Sequence, residues 1–338
     1  MVPETGRPAD NRDRDDRALR QSTDGMSLDQ ARLLLDYPHL DRATVERLAA
    51  YSAAPAVALA DVDLAQARQI AAAYLRDCAS HWTPPSTSLT IESLDAGRKA
   101  YVHRTRTTEA DPTILLWLHG GGWVFGSPEL HRPWAQEIAA RTACPVIDLE
   151  YPLAPEHDLP GMLDACVAAI EDVADRHRES RLILGGESAG ATLAILAAGR
   201  TSHLLDGLIP VNPLIDLNAD APYRSRKKYA DSRLVQCWEE MRWFLDLLLQ
   251  DRTAAFSLID RFRRAPLPMT VLILGEYDLL HDEGKDFADA IAAENDVRTL
   301  SIKGAIHNSF EFGPMTEAGK AMVDAIAEAV EYIHHADQ

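Results

Sequence analysis

The sequence predicts an α/β fold, a mostly parallel central sheet flanked by helices and carrying a helical cap, on three observations. Short apolar runs at 114–118, 145–149, 182–184, 208–211, 271–274 and 297–302 are separated by longer amphipathic stretches. Strands buried on both faces read as continuous apolar runs, and crossover helices supply the length between them. One run passes straight into Gly186-Glu187-Ser188-Ala189-Gly190, followed by Thr192, Leu193, Leu196 and Ala197 at helical spacing, which gives strand, tight turn and helix. The alternation lapses from about 218 to 265, where Trp238, Met241, Leu245 and Leu248 share one helical stripe, so helices are inserted beside the sheet.

The elements follow in order. Residues 1–25 mix Asp, Arg, Pro and Gly with almost nothing to bury, which predicts a disordered tail. The same stretch has no apolar export segment, so a cytoplasmic location is expected. At Ser27 the pattern changes: Leu28, Ala31, Leu34 and Leu35 recur at helical spacing, with Gln30 three residues after the capping serine. Helical patterns at 43–51 and 64–78 extend this into an N-terminal helical cap segment over 26–82. Leu89, Ile91, Ala100 and Val102 alternate with polar residues, as in an antiparallel strand pair that opens the main domain, 83–338.

Of the 338 residues 46% are apolar, enough for a large core. Asp and Glu number 52 against 34 Lys and Arg, a net charge of −18 that repels polyphosphate, so nucleic acid is not an expected partner. No run approaches the roughly 18 apolar residues of a spanning helix, and no membrane insertion is expected. Cys78, Cys144, Cys166 and Cys237 lack the spacing of a metal site or a disulfide framework and are read as reduced, mostly core thiols. His334 and His335 are read as solvated surface rather than a metal site. A small molecule is the expected partner, and a homodimer is left open.

Two motifs carry chemistry. A serine at the tip of a strand-to-helix turn needs a backbone conformation few side chains tolerate and close approach to neighbouring strands, so small residues two before and two after Ser188 make steric sense. Helix-start N–H groups beside it favour a developing anion. The second motif, His119-Gly120-Gly121-Gly122-Trp123, follows the run at 114–118. Three adjacent glycines cost chain entropy, which suggests that bare backbone must approach something closely. A phosphate cradle would have this loop too, but the Lys-Ser or Lys-Thr ending of a nucleotide loop is absent and the protein is acidic.

These motifs, with Tyr151-Pro152-Leu153-Ala154-Pro155-Glu156, resemble the hormone-sensitive-lipase-like branch of the α/β-hydrolases, the bacterial family IV carboxylesterases, over roughly residues 89–333. The resemblance implies the α/β-hydrolase fold and ester hydrolysis through a Ser-Asp-His triad, with no metal and no organic cofactor. Its acid falls on Asp278 in Gly275-Glu276-Tyr277-Asp278-Leu279-Leu280-His281-Asp282-Glu283, with Asp282 as the lesser alternative. Its base falls on His307, before Asn308-Ser309-Phe310, and Ser188 is the nucleophile. His119 is the rival base, although its place before the glycines suits bracing the loop. Gly121, Gly122 and Ala189 are expected to donate oxyanion-hole N–H groups, with Gly120 standing in for one of the first two. Trp123, Trp238, Trp243 and Phe244 are expected to contact substrate.

The chain departs from the family pattern at Glu187 in place of Asp, Ala191 in place of Gly, Pro152 in place of Arg, and Asn308-Ser309 in place of Gly. It also lacks the family's Ser-Pro near Phe256-Ser257-Leu258. Pro152 cannot supply the guanidinium fork that Arg offers to nearby carboxylates. The leading expectation is a serine carboxylesterase of short- to medium-chain acyl or aryl esters. The alternatives are an acyltransferase or cyclase using the same triad, and a small-molecule receptor that has lost catalysis.

Overall fold

The computed structural model describes residues 26–52, 57–105 and 113–336; the tail expected over 1–25 lies outside them. The described residues open with helices α1 (Leu28–Asp36), α2 (Arg42–Ser52) and α3 (Leu64–Ser80). The Ser27–Gln30 pair forms the expected reciprocal cap: the Gln30 N–H donates to Ser27 Oγ at 3.3 Å and the Ser27 N–H to Gln30 Oε1 at 2.8 Å.

Eight strands follow among the described residues: β1 (Ser88–Ser93), β2 (Lys99–Arg104), β3 (Thr113–Leu118), β4 (Val146–Leu149), β5 (Arg181–Glu187), β6 (Gly207–Val211), β7 (Met269–Gly275) and β8 (Val297–Ile302). They form one sheet in the order β1-β2-β4-β3-β5-β6-β7-β8. β2 pairs antiparallel with β1 and with β4, and every pairing from β4 to β8 is parallel. After β3 the chain moves outward to β4 and then returns to β5 on the other side. The strand order therefore reverses between β3 and β5, and the loops leaving their carboxyl ends diverge around a crevice. The Gly-rich loop and the serine turn sit at those two ends, brought level by the pairing of Leu118 with Gly186.

The remaining helices are α4 (Pro128–Thr142), α5 (Leu159–Arg176), α6 (Ala189–Thr201), α7 (Arg224–Lys228), α8 (Trp238–Leu249), α9 (Leu258–Phe262), α10 (His281–Ile291), α11 (Ser309–Phe312) and α12 (Glu317–His335). α6, made of Ala, Gly, Leu, Ile and Thr except near its end, is buried almost throughout behind β5. Among the described residues no helix is long and apolar enough to cross a membrane. Cys78, Cys144 and Cys166 are buried thiols and Cys237 is exposed.

Two expectations need correction. β5 runs beyond 184 through Gly185 and Gly186, because the Trp117 ring occupies the space where a Gly185 side chain would stand, its nearest atom 2.7 Å from a Cβ built there. Glycine here marks close packing within a strand rather than the strand's end. His334 is not plain solvated surface: it is half-buried, with Nδ1 2.9 Å from the Thr113 hydroxyl at the foot of β3.

The inserted helices are tied down by a buried ion pair. Arg226 in α7 donates to both carboxylate oxygens of Glu283 in α10, at 2.9 and 2.8 Å. Its other bonds go to the carbonyls of Asn218 and Asp216, while Glu283 also accepts the Ile215 and Asp216 N–H groups. Burying two charges is tolerable only when their hydrogen-bonding capacity is used this fully. α10 starts just after Asp278, so the anchor fixes the insertion beside the candidate acid.

Candidate active site

Ser188 joins β5 to α6 with φ 53° and ψ −118°, a strained conformation for a residue with a side chain. Its N–H donates to the Val211 carbonyl at 2.9 Å, and the Thr192 N–H donates to the Ser188 carbonyl at 3.1 Å. Gly190 lies directly against the Leu118 and His119 carbonyls, leaving no room for a Cβ. The turn is thus held from three sides, and its tight packing on β3 explains the glycine two residues after the serine.

Ser188 Oγ lies 2.9 Å from His307 Nε2, and His307 Nδ1 lies 2.8 Å from Asp278 Oδ2. The second Asp278 oxygen accepts the Leu280 N–H at 2.7 Å. Asp278 is fully buried; Ser188 and His307 are each 7% exposed. Three side chains from the ends of β5, β7 and β8 therefore meet in one hydrogen-bonded line. Burial works against a charged imidazole, but the Asp278 carboxylate outweighs it and raises His307 from 6.5 to about 9. Asp282, the alternative acid, instead accepts the Ser225 N–H at 3.0 Å.

His119 does not join that line. Its ring is stacked between His131 and Tyr151, with centroids 4.9 and 4.3 Å away. Burial, aided by His131, lowers it to about 3. Neutral, it donates from Nδ1 to the Gly120 carbonyl at 2.8 Å, which a carbonyl can only accept. The Tyr151 hydroxyl adds a 2.7 Å bond to the His119 carbonyl. His119 braces the loop.

In that loop Gly121 has φ 109° and Gly122 φ 61°, and Trp123 keeps a positive φ of 63°. The Gly121 carbonyl accepts from the N–H groups of Val124 and Phe125. Among the described residues no hydrogen bond takes the N–H of Gly121, Gly122 or Ala189. Gly120 is set against the Glu187 carboxyl instead. The expected substrate contacts divide. Phe244 lies on Gly122, its ring 2.5 Å from a Cβ built there, and both Phe244 and Trp243 pack on Phe125, at 5.3 and 6.0 Å between centroids. Trp123 is buried in the core with its carbonyl bonded to the Ala154 N–H, so its side chain lines no open surface. Trp238 lies under the Arg226 guanidinium, 4.3 Å from its ring centroid, and donates to the Ala219 carbonyl. It serves the anchor, because its indole completes the burial of that charge.

Three features escaped sequence reasoning. Gln236, buried just before α8, uses its whole amide: Oε1 accepts the N–H groups of Leu279 and His307, and Nε2 donates to the carbonyls of Tyr229 and Tyr277. One inserted side chain thereby ties the turn bearing Asp278 to the loop bearing His307. Arg68 of α3 grips both oxygens of Glu156 at 2.7 Å and donates to the carbonyls of Ala154 and Val124, supplying from elsewhere the fork that Pro152 lacks. Glu187 and Glu311 are buried together beside His307, and burial raises both carboxyls above their usual range. Gln and Arg at these positions carry no local pattern, and the Glu pair is more than a hundred residues apart in sequence, so only the departures at Pro152 and Glu187 hinted at any of this.

The N-terminal helices reach the same loops. The Asn308 side chain donates to the Tyr74 hydroxyl at 3.0 Å, His39 Nδ1 pairs with Glu276 at 2.7 Å, and the Tyr37 hydroxyl donates to Asp231 at 2.9 Å. A cleft of about 400 Å³ lined by Leu163, Leu196, Leu248 and Phe256 opens elsewhere, with none of Ser188, Asp278 or His307 in its wall.

Comparison with known proteins extends this picture. A family model described as the alpha/beta hydrolase fold matches residues 115–311. Lipase 2 of Moraxella sp. strain TA144 is 26% identical, over 64% of this chain and 60% of that protein. Esterase LipI of Mycobacterium tuberculosis is 27% identical, over 58% of this chain and 65% of its own length. The chain thus spans less than two thirds of either relative. Among solved structures, the hyperthermophilic esterase of the archaeon Pyrobaculum calidifontis superposes with a TM-score of 0.77 at 24% identity, over 87% of this chain and 99% of that one. At that identity the likeness is one of fold.

Proposed function

The chain belongs to the α/β-hydrolase fold family, in its hormone-sensitive-lipase-like branch, and from that premise we propose that it is a serine carboxylesterase of short- to medium-chain acyl or aryl esters. The observation that carries the reading is the unbroken line from Ser188 Oγ through His307 to Asp278. A free serine hydroxyl is a weak nucleophile at neutral pH. His307 takes its proton through Nε2 as Oγ attacks the ester carbonyl carbon, and Asp278 fixes the tautomer that leaves Nε2 bare and stabilises the imidazolium.

The carbonyl oxygen then bears a full negative charge. The free N–H groups of Gly121, Gly122 and Ala189 are the donors suited to receive it, with the start of α6 adding its dipole. His307 returns the proton to the leaving alcohol, and water repeats the attack on the acyl-enzyme. Phe244, Trp243 and Phe125 supply an apolar wall suited to uncharged acyl or aryl groups. The presence of His307 within bonding distance of Ser188 favours catalysis over a receptor role.

The test is hydrolysis of p-nitrophenyl esters of graded acyl length, together with labelling by a serine-directed fluorophosphonate. Ser188→Ala is expected to abolish both with little loss of fold, and near-normal turnover by that variant would reject the assignment.

A further inference from the structure

The Gly-rich loop keeps an unusual backbone. Gly121, Gly122 and Trp123 follow one another with φ of 109°, 61° and 63°, all in the left-handed region, and the last of them carries a side chain. Such a run persists only where its surroundings hold it. Part of the hold is internal, since the Gly121 carbonyl accepts from Val124 and Phe125. Part comes from the segment 151–156, where the Ala154 N–H donates to the Trp123 carbonyl at 2.8 Å. The next carbonyl along the loop, that of Val124, and the carbonyl of Ala154 itself belong to fully buried residues. Buried carbonyls need donors. Among the described residues Arg68 is the one donor to either.

Arg68 projects from α3, in the N-terminal helical segment. Its Nε donates to the Val124 carbonyl at 3.1 Å and its Nη2 to the Ala154 carbonyl at 2.9 Å, while Nη1 and Nη2 each reach an oxygen of Glu156 at 2.7 Å. A guanidinium is planar and rigid, so a single group fixes three points on two loops at a set spacing. The hydrogen bonds from Arg68 hold the Glu156 carboxyl down at about 2, so the clamp stays charged on both sides across the range in which His307 titrates. Fastening α3 to the rest of the protein does not require the loop carbonyls. Leu75 and Cys78 of the same helix are buried, and the Tyr74 hydroxyl accepts from Asn308 at 3.0 Å. A half-exposed Arg–Glu pair alone would add little.

We propose that Arg68 is a positioning residue of the reaction: it fixes the backbone that follows Gly121 and Gly122, so that their N–H groups are held where the ester oxygen becomes negative. The N-terminal helical segment is thereby a working part of the site as well as its cover. The proposal rests on the esterase reading above and on the oxyanion role given there to the loop.

The experiment compares p-nitrophenyl acetate with its thionoester analogue, in which C=S replaces C=O. Sulfur is larger and a weaker acceptor, so well-placed N–H donors favour the oxygen ester, and the ratio of the two kcat/KM values reads how well they are placed. Arg68→Met is expected to lower kcat for the oxygen ester by roughly 10- to 100-fold with KM little changed, and to lower the oxygen-to-sulfur ratio by roughly 10-fold. The activity limb set by His307 should not move. Arg68→Lys keeps the charge opposite Glu156 but not the fork, and should lower the ratio by a smaller factor. A purely structural role would slow both substrates alike, so a ratio unchanged in Arg68→Met overturns the proposal. If that variant does not fold, an unchanged ratio in Arg68→Lys does so. A native ratio close to one would remove the oxyanion role of the loop and the proposal with it. Failure of the esterase reading looks different, since native protein would then hydrolyse neither substrate and Ser188 would not be labelled by fluorophosphonate.

Discussion

Replacing Asp278 by Asn isolates the electrostatic part of the site. Asp278 Oδ2 accepts from His307 Nδ1 at 2.8 Å inside a buried pocket. Raising the imidazole from 6.5 to about 9 corresponds to about 3 kcal/mol, or a factor of roughly 10² to 10³, in favour of the imidazolium formed when Ser188 loses its proton. Asn removes the charge. Its amide also offers an N–H to Nδ1, and accepting it puts the imidazole proton on Nε2, where it blocks the lone pair that faces Ser188. Together these effects are expected to lower kcat by roughly 10³ to 10⁴ with little change in fold.

The pH profile carries a second signature. His307 must be neutral to act as a base, so native activity should climb as pH rises toward about 9. The linkage to stability has the opposite sign. With the folded value above the unfolded 6.5, the imidazolium's contribution is complete below 6.5 and is lost as pH rises through about 9. In Asp278→Asn both the activity limb and this loss should move to lower pH. The assay is aryl-ester hydrolysis across that range, with urea unfolding in parallel. Residual kcat above roughly a tenth of native, with the limb unmoved, would refute the reasoning.

Three further outcomes are expected. Gly122→Ala combines a φ of 61° with a Cβ 2.5 Å from the Phe244 ring, so kcat for aryl esters should fall by roughly 100-fold or more; unchanged turnover would remove Gly122 from the oxyanion role. Gln236→Met frees the N–H groups of Leu279 and His307, and should lower kcat and fluorophosphonate labelling roughly 10-fold or more with KM little changed; Gln236→Glu should do worse, because it sets a buried anionic oxygen against the Tyr229 and Tyr277 carbonyls, which Met only leaves unpaired. Asp148 in β4 is buried with neither oxygen partnered among the described residues, and burial raises its carboxyl well above 3.8, so its contribution to stability is lost as pH rises above that value, by about 1.4 kcal/mol per pH unit until the folded group ionises. Asp148→Asn should therefore flatten the pH dependence of urea unfolding, and parallel curves for the two proteins would contradict this.

Much of the architecture was legible because its signals are local. Apolar runs and their spacing gave the alternation of strand and helix, and Ser27 with Gln30 marked the start of α1. Gly-x-Ser-x-Gly marked the turn between β5 and α6 because a steric demand acts there on adjacent residues. The Gly-rich loop was legible for the same reason. Gly185 misled because the Trp117 ring that fills its place comes from another strand, and Trp238 misled because a helical stripe says nothing about which charge will lie across it.

What the sequence by itself determined was the fold and the candidates Ser188, Asp278 and His307, since each lies in a short motif that is legible within a few residues of its own turn. Only the tertiary structure decided which distant groups surround the candidate site: Gln236 between two loops, Arg68 on Glu156 beside Pro152, and Glu311 against Glu187. Those contacts join residues tens to hundreds of positions apart, and the fit of buried donors to acceptors depends on packing, which no local pattern records.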